Sequence, residues 1–350
     1  MVLRSPDGEM VARDIVDGRW AEASGEAETT FGEGLWALPG LVDAHAHLAS
    51  SDLNYQPGNL DGAVDRAHSS LQAGVTLLLD KGWTDDVTIQ MMRVVPVGDR
   101  PDIEAAARVI ATPGGYYPGF ALEVDDDDLI VAVRAEARAG AGWVKLSGDW
   151  PRKGVGPVAN FDEDHLRLAV EAAGAEGARV AIHTMARDVP SMAVAAGVQS
   201  IEHGMFLTEE DVDDLGQRAG MWVPTVLRCE ATLEQLGESS SGGKLFLEGL
   251  SRVRELLPLA VEAGVYVLAG TDLVGSPAEV AAEALRLRDY GFSAAQVVAA
   301  VSRSAFLATG RPASFEVGAP ADAVFFPANP LEELEVLGHP TDVVRLGRSV

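Results

Sequence analysis

Six side chains in this sequence carry groups able to hold a metal ion: His45, His47, Lys145, His183, His203 and Asp272. The first two lie in Asp43-Ala44-His45-Ala46-His47, directly after a short apolar run. On an extended strand, residues two apart face the same side, so His45 and His47 can converge on one point. Imidazole nitrogen is a natural ligand for zinc and similar metals. Lys145 interrupts the apolar run Trp143-Val144-Lys145-Leu146, where a bare ammonium is costly to bury. Lysine is scarce in this chain (Lys81, Lys145, Lys153 and Lys244), so one on a core strand calls for a reason. A salt bridge would supply it. Carbamylation by carbon dioxide would also do so, turning the amine into an anionic oxygen ligand able to bridge two metals. His183 closes Val180-Ala181-Ile182, His203 closes Ser200-Ile201-Glu202, and Asp272 follows Val267-Leu268-Ala269-Gly270-Thr271.

These residues stand at the ends of a recurring unit, a short apolar run followed by an Ala/Leu-rich amphipathic stretch that ends near glycine. The runs are Leu38–Ala44, Val75–Leu79, Ala105–Ile110, Trp143–Leu146, Ala178–Ile182, Gln199–Ile201, Met221–Val223 and Val265–Ala269. Helices are predicted between them, for example over Ala63–Ala73, Leu129–Ala137, Asp162–Ala173, Val189–Ala196 and Ala278–Tyr290. Strands alternating with helices indicate parallel βα units, and eight of them fill roughly 250 residues. A doubly wound sheet shares that pattern, but the placement of the metal-competent residues selects a (β/α)₈ TIM barrel. Each falls where a barrel strand delivers a side chain to the C-terminal face, the face on which barrel enzymes do their chemistry.

Both chain ends carry short alternating pieces, Asp14–Trp20, Ala321–Phe326 and Asp342–Arg345, with Gly318-Ala319-Pro320 as a turn. They are expected to pair into one small β-sandwich from residues 1–36 and 312–350, beside a barrel of residues 37–311. Leu236–Lys244, with its Gly-Glu-Ser-Ser-Ser-Gly-Gly run, is predicted to be a flexible loop, a lid after the seventh strand.

Lys+Arg number 27 against Asp+Glu 53, a formal net charge of -26, which repels phosphate backbones and anionic membrane surfaces. Nucleic acid and membrane are therefore excluded as expected partners, leaving a small-molecule substrate and a homo-oligomer. No stretch reaches the roughly 20 apolar residues of a membrane span. Met1 to Met10 does not read as a signal peptide, and Cys229, the single cysteine, allows no internal disulfide. A cytoplasmic location is expected.

The stretch Leu38-Pro39-Gly40-Leu41-Val42-Asp43-Ala44-His45-Ala46-His47 resembles the first-strand signature of the amidohydrolase superfamily. Gly74-Val75-Thr76, Ser200-Ile201-Glu202-His203-Gly204 and Ala269-Gly270-Thr271-Asp272 resemble its later strands, and Gly318–Val324 its return into a β-sandwich. The resemblance spans essentially the whole chain and is nearest to imidazolonepropionase-like and prolidase-like hydrolases. It implies two divalent metals, with zinc the expected ion. His45, His47 and Asp272 would hold the buried metal, His183 and His203 the more exposed one, and carbamylated Lys145 would bridge them. A hydroxide shared by the metals would be the nucleophile, with Asp272 as general base. The implied reaction is hydrolysis of an amide C–N bond in a dipeptide, N-acyl amino acid or cyclic amide. Ester chemistry of the lactonase or phosphotriesterase kind, mononuclear deamination and a non-catalytic metal-binding barrel are the alternatives.

Two departures bear on those alternatives. The deaminases and imidazolonepropionase carry a glutamate three residues after the fifth-strand histidine, whereas this chain reads His183-Thr184-Met185-Ala186. After the third strand, Pro113-Gly114-Gly115-Tyr116-Tyr117 stands in place of a Gly-Gly-His piece, so tyrosine replaces a substrate-facing histidine. Tyr116, Tyr117, Trp150, Arg152 and Arg228 fall in loops on the catalytic face, and Arg228 is suited to clamp a substrate carboxylate. Cys229 reads as a packed thiol; His68, His165 and His339 lie away from strand ends. Asp125–Asp128 reads as the cap of the helix after it, Asp80 and Lys81 as an ion pair behind the site, and Glu202 as support for His203.

Overall fold

In the computed structural model, described over residues 1–25, 32, 34–50 and 57–350, the apolar runs form one closed cylinder. Its strands are β1 (Leu41–Ala46), β2 (Val75–Asp80), β3 (Asp102–Ala105, resuming as Val109–Ala111), β4 (Trp143–Ser147), β5 (Arg179–Thr184), β6 (Ser200–His203), β7 (Met221–Val223) and β8 (Tyr266–Val267). Neighbours pair in parallel in chain order. Closure comes from the segment after β8, where Ala44 N donates to Ala269 O at 2.9 Å and Asp272 N to His45 O at 2.9 Å. Closure puts the first and last barrel strands side by side.

Alternation along the strands divides the apolar residues between two layers. Val42, Ala44, Leu77, Leu79, Trp143, Ala181, Val223 and Leu268 pack in one inner group. Residues of opposite parity, such as Leu41, Leu78, Val144, Ile182 and Ile201, pack with the helices. Those include Leu60–Gln72, Leu129–Ala139, Glu163–Ala175, Val189–Ala195 and Val280–Asp289, each within a few residues of the predicted spans. Asp162 caps its helix by accepting from His165 N, which accounts for His165; His68 and His339 are exposed.

The chain ends pair as anticipated. Val2–Arg4, Met10–Val16 and Arg19–Glu22 form an antiparallel sheet. Trp36–Leu38 joins Ala323–Phe326, Asp342–Arg345 and Arg348–Ser349 in another. Leu3, Trp20, Ala37, Phe315, Phe325 and Val344 are buried together as the core of this small domain.

The predicted Leu236–Lys244 loop shrinks to a turn over residues 237–240 between two helices. Leu236 ends one helix (Val226–Leu236), and Ser241–Ala263 is already the next; Ser240 caps it by accepting from Gly243 N. Gly-rich composition suggested flexibility, but a serine before an amphipathic run is also a helix start, and that local signal prevailed. The acidic run stands at the helix start as expected, with Asp128 at the N-cap of Leu129–Ala139, but it acts without a side-chain bond. Asp126–Asp128 forms a short 3-10 turn ahead of Leu129–Ala139, and neither Asp125 nor Asp128 makes a side-chain cap bond. Among the described residues, no helix is long and apolar enough to cross a membrane.

Candidate metal centre

Strand alternation alone would turn His45 away from Val42 and Ala44. A bulge resolves this: the pairing of β1 with β2 shifts register between Asp43 and Ala46. The extra residue re-aims the end of the strand, so His45 and His47 project over the barrel mouth. Asp43, buried at the bulge, accepts from His45 N (3.0 Å), Thr271 N (3.1 Å) and Thr271 Oγ1 (2.6 Å), tying β1 to the last strand. Gly270 is required there, because a Cβ would come within 2.6 Å of His45 Cβ. Asp272 (φ 43°) and Leu273 (φ 63°) then take left-handed conformations. They bring Asp272 Oδ1 to 3.5 Å from His45 Nε2 and 3.4 Å from His47 Nε2. One donor atom from each of these three residues lies within 4.8 Å of the others, a group that can hold a cation.

His183 and His203 arrive from the adjoining strands. His203 also has a left-handed φ of 64°, which breaks the alternation at the end of β6, so both Glu202 and His203 reach the site. His203 Nε2 lies 3.0 Å from His183 Nδ1 and 3.8 Å from Asp272 Oδ2. Lys145 is buried one inward position below Ser147, which pairs with His183. Lys145 Nζ and His183 Nε2 are buried without a hydrogen-bond partner.

The distal ring nitrogens are held in a consistent way. His47 Nδ1 lies 2.7 Å from the carbonyl of Gly82, which can only accept, so Nδ1 carries the proton and Nε2 a lone pair. His203 Nδ1 lies 2.6 Å from Thr225 Oγ1, whose hydroxyl donates to Pro224 O at 2.8 Å, so this ring takes the same tautomer. His45 Nδ1 stands 2.6 Å from Glu202 Oε2. Lone pairs directed at an ionised Asp272, with a buried amine left unpaired beside them, are the donor set that a divalent metal fits.

Burial depresses the basicity of the rings. His45 is brought down to about 3 and His203 to about 4, with Asp272 opposing and Lys145 assisting in each case. His183 is pushed well below its usual range by burial and by His203. Burial would raise Asp272, but His45, His47, His203 and Arg228 together hold it well below the carboxylate range. Lys145 falls to about 8, chiefly through burial, with Glu202 resisting and Lys81 adding to the shift. The centre therefore presents His45, His183 and His203 with depressed basicity, an anionic carboxylate and an amine that gives up its proton more readily than an ordinary lysine.

Two expectations about the surroundings are overturned. Lys81 pairs with Glu202 (3.1 Å), not with Asp80. Asp80 instead accepts from Leu48 N (2.6 Å), Gly82 N (2.8 Å) and Thr88 Oγ1 (3.2 Å), fixing the loops around His47. Glu202 supports His45 rather than His203, because the left-handed turn at His203 leaves Glu202 with the inward parity. Arg152 is taken up by the loop it crosses, donating to Gly114 O, Pro113 O and Asn160 Oδ1. Asp149 and Glu283 escaped the sequence reading. Asp149 accepts from Met185 N and Ala186 N after β5. Glu283 accepts from Val226 N (2.6 Å) and Leu227 N (2.9 Å), holding the turn that carries Thr225 and Arg228. No local pattern marks these acids, because their partners are backbone amides distant in sequence.

The mouth is walled by aromatic rings. Trp150, on the hairpin Asp149–Arg152 with Gly156–Ala159, lies 4.7 Å from Tyr116, 4.4 Å from Tyr117 and 5.8 Å from His183 between ring centroids. Trp83 closes the other side, 5.5 Å from His47 and 4.4 Å from Phe120. Arg228 contributes positive potential to Asp272 and Tyr116, and its guanidinium makes no ion pair among the described residues. Cys229 is buried with its thiol pushed up by desolvation, an unreactive group.

A parallel barrel with this histidine and aspartate constellation at its C-terminal mouth is an arrangement able to hold a metal ion. Residues 36–350 match the Amidohydrolase family, and the chain belongs to that family. It is 35% identical to an uncharacterized protein of Mycobacterium tuberculosis, over 99% of this chain and 94% of that one. It is 26% identical to ochratoxinase of Aspergillus niger, over 88% and 74% of the two chains. Among solved structures, a Xaa-Pro dipeptidase with bound methionine superposes with a TM-score of 0.79 at 22% identity, covering 97% of this chain and 94% of that one. The protein is accordingly a hydrolase acting on C–N bonds, in a family that is generally metal-dependent.

Proposed function

We propose that this chain hydrolyses the amide bond of a dipeptide or N-acyl amino acid bearing a free carboxylate, at a pair of divalent metals, zinc being suited to the nitrogen donors. The observation that carries the reading is the clustering of His45, His47 and Asp272, with His203 3.8 Å from Asp272 and a buried Lys145 amine without a hydrogen-bond partner close enough to act on His45 and His203. His45, His47 and Asp272 would hold one ion and His183 and His203 the other. Lys145 would join them as a carbamate, its Nζ adding to carbon dioxide and releasing a proton. When bound, such ions polarise the scissile carbonyl and make an attacking water more acidic.

The residues themselves have separable tasks. Asp272 is held ionised and reaches both histidine groups, so its free oxygen takes a proton from the attacking water and passes it to the departing nitrogen. Arg228, free of any ion pair among the described residues, clamps the substrate carboxylate. Tyr116, Tyr117 and Trp150 wall the space above His183, where rings exclude water and pack against the acyl side. The name of one similar protein, a Xaa-Pro dipeptidase, supports a small amide substrate.

The test is a turnover screen of zinc-loaded protein against dipeptides, N-acyl amino acids, lactones and a phosphotriester in parallel. Release of a free amino acid is the expected result. Turnover confined to lactones or the phosphotriester would overturn the substrate class.

A further inference from the structure

Glu202 divides its carboxylate between two kinds of partner. Oε2 stands 2.6 Å from His45 Nδ1. Oε1 accepts from Ser200 Oγ at 2.6 Å and faces Lys81 Nζ at 3.1 Å. Glu202 and Lys81 are wholly buried, and the Lys81 ammonium lies 4.6 Å from the centroid of the Trp143 ring. A lone carboxylate or ammonium at this depth would be prohibitive, whereas the pair with its added hydrogen bond and aromatic face is tolerable. Lys81 follows β2, Glu202 lies on β6 and His45 on β1, so three separate strands meet in this contact.

From this geometry we infer that Lys81 and Glu202 form a positioning couple that sets the tautomer of His45. The couple puts the imidazole proton on Nδ1 and so leaves the Nε2 lone pair facing Asp272. The inference rests on the reading of His45 as a metal ligand. An ionised carboxylate offers only acceptors, so Oε2 can meet only an N–H of His45, while the ammonium, which offers only donors, faces the other oxygen and would dictate which way an amide at this position turns. Lys81 and Lys145, the buried lysines, thus have different parts, since the Lys81 ammonium lies within ion-pair distance of Glu202, at 3.1 Å from Oε1, and Lys145 Nζ has no carboxylate that close among the described residues.

The couple makes an unusual prediction for Glu202→Gln. With Lys81 present, the amide must turn its oxygen to the ammonium and its NH₂ to His45. That forces the imidazole proton onto Nε2, where the metal would bind. Removing the ammonium as well, in the double variant Lys81→Met with Glu202→Gln, lets the amide flip, with the Ser200 hydroxyl rotating to accept. Zinc affinity, measured by competition with a chromophoric chelator, is expected to fall roughly 10–100-fold in Glu202→Gln and to recover most of that loss in the double variant. A merely structural role would make the double variant worse than either single one. A Glu202→Gln protein that binds zinc like the parent, or a double variant no better than Glu202→Gln, overturns the inference. Imidazole ¹⁵N spectra of the metal-free parent give a second reading without any variant. His45 protonated at Nδ1 is expected, and the opposite tautomer overturns the proposal. Failure of the parent itself to bind zinc would instead overturn the metal-ligand reading beneath it.

Discussion

Thr225 offers the sharpest test of how the distal nitrogens are held. It is fully buried, adopts a left-handed backbone (φ 45°), accepts from His203 Nδ1 at 2.6 Å and donates to Pro224 O at 2.8 Å. Thr225→Val preserves shape and β-branching while deleting the hydroxyl. The Nδ1–H of His203 is then buried without an acceptor, which costs roughly 1–3 kcal/mol. At about 1.4 °C per kcal/mol for a chain of this length, the metal-free protein should melt about 1–4 °C lower. With the proton no longer anchored at Nδ1, zinc affinity should drop roughly 10–100-fold. Thr225→Ser supplies the control: it keeps the hydroxyl and loses one methyl, worth about 1 kcal/mol, so stability falls slightly and zinc affinity stays. Calorimetry of metal-free protein and chelator competition read the two quantities separately. Unaltered zinc affinity in Thr225→Val, or an equal loss in Thr225→Ser, would refute the reasoning.

Three further outcomes are expected. Lys145→Ala should lower bound metal and turnover together, measured by elemental analysis beside the rate; retention of two metals and full rate would exclude a bridging role. Arg228→Ala should raise KM for substrates with a free carboxylate by roughly 10–100-fold, from the loss of a charged hydrogen bond of about 1.5–3 kcal/mol, while leaving their carboxamide analogues unaffected. Steady-state kinetics on matched acid and amide substrates decide it. Glu283 is raised from 4.5 to about 8, above all by burial, with its backbone hydrogen bonds opposing. A carboxyl with a raised folded-state pKa binds more protons when folded, so its contribution to stability is greatest below about pH 4.5 and is lost as pH climbs toward 8. The melting temperature of the parent relative to Glu283→Gln should therefore fall across that window; a pH-independent difference would show that Glu283 does not titrate there.

How much could be read without coordinates depends on the range of each interaction. The barrel strands and the helices between them follow from apolar periodicity, because burial of alternate residues is written into each segment locally. The first-strand His-x-His pair and the strand-end positions of Lys145, His183, His203 and Asp272 follow from the same periodicity plus the rule that barrel strands deliver function at one end. The Gly-rich segment before Lys244 misled, since its serine cap outweighs its composition.

Whatever depended on bulges, left-handed residues or long-range partners came only with the tertiary structure. The bulge at Asp43–Ala46 and the positive φ of His203 and Asp272 reverse simple alternation, and adjacency in sequence assigns Glu202 to His203 and Lys81 to Asp80, whereas the closed barrel brings Glu202 to His45 and Lys81 to Glu202. The sequence by itself determined which chemical groups stand at the strand ends, because that follows from local periodicity. Only closure of the barrel decided which of them meet. Asp43 with Thr271 and Glu283 with Val226 are partners far apart along the chain, brought together by the curvature and register of the closed sheet.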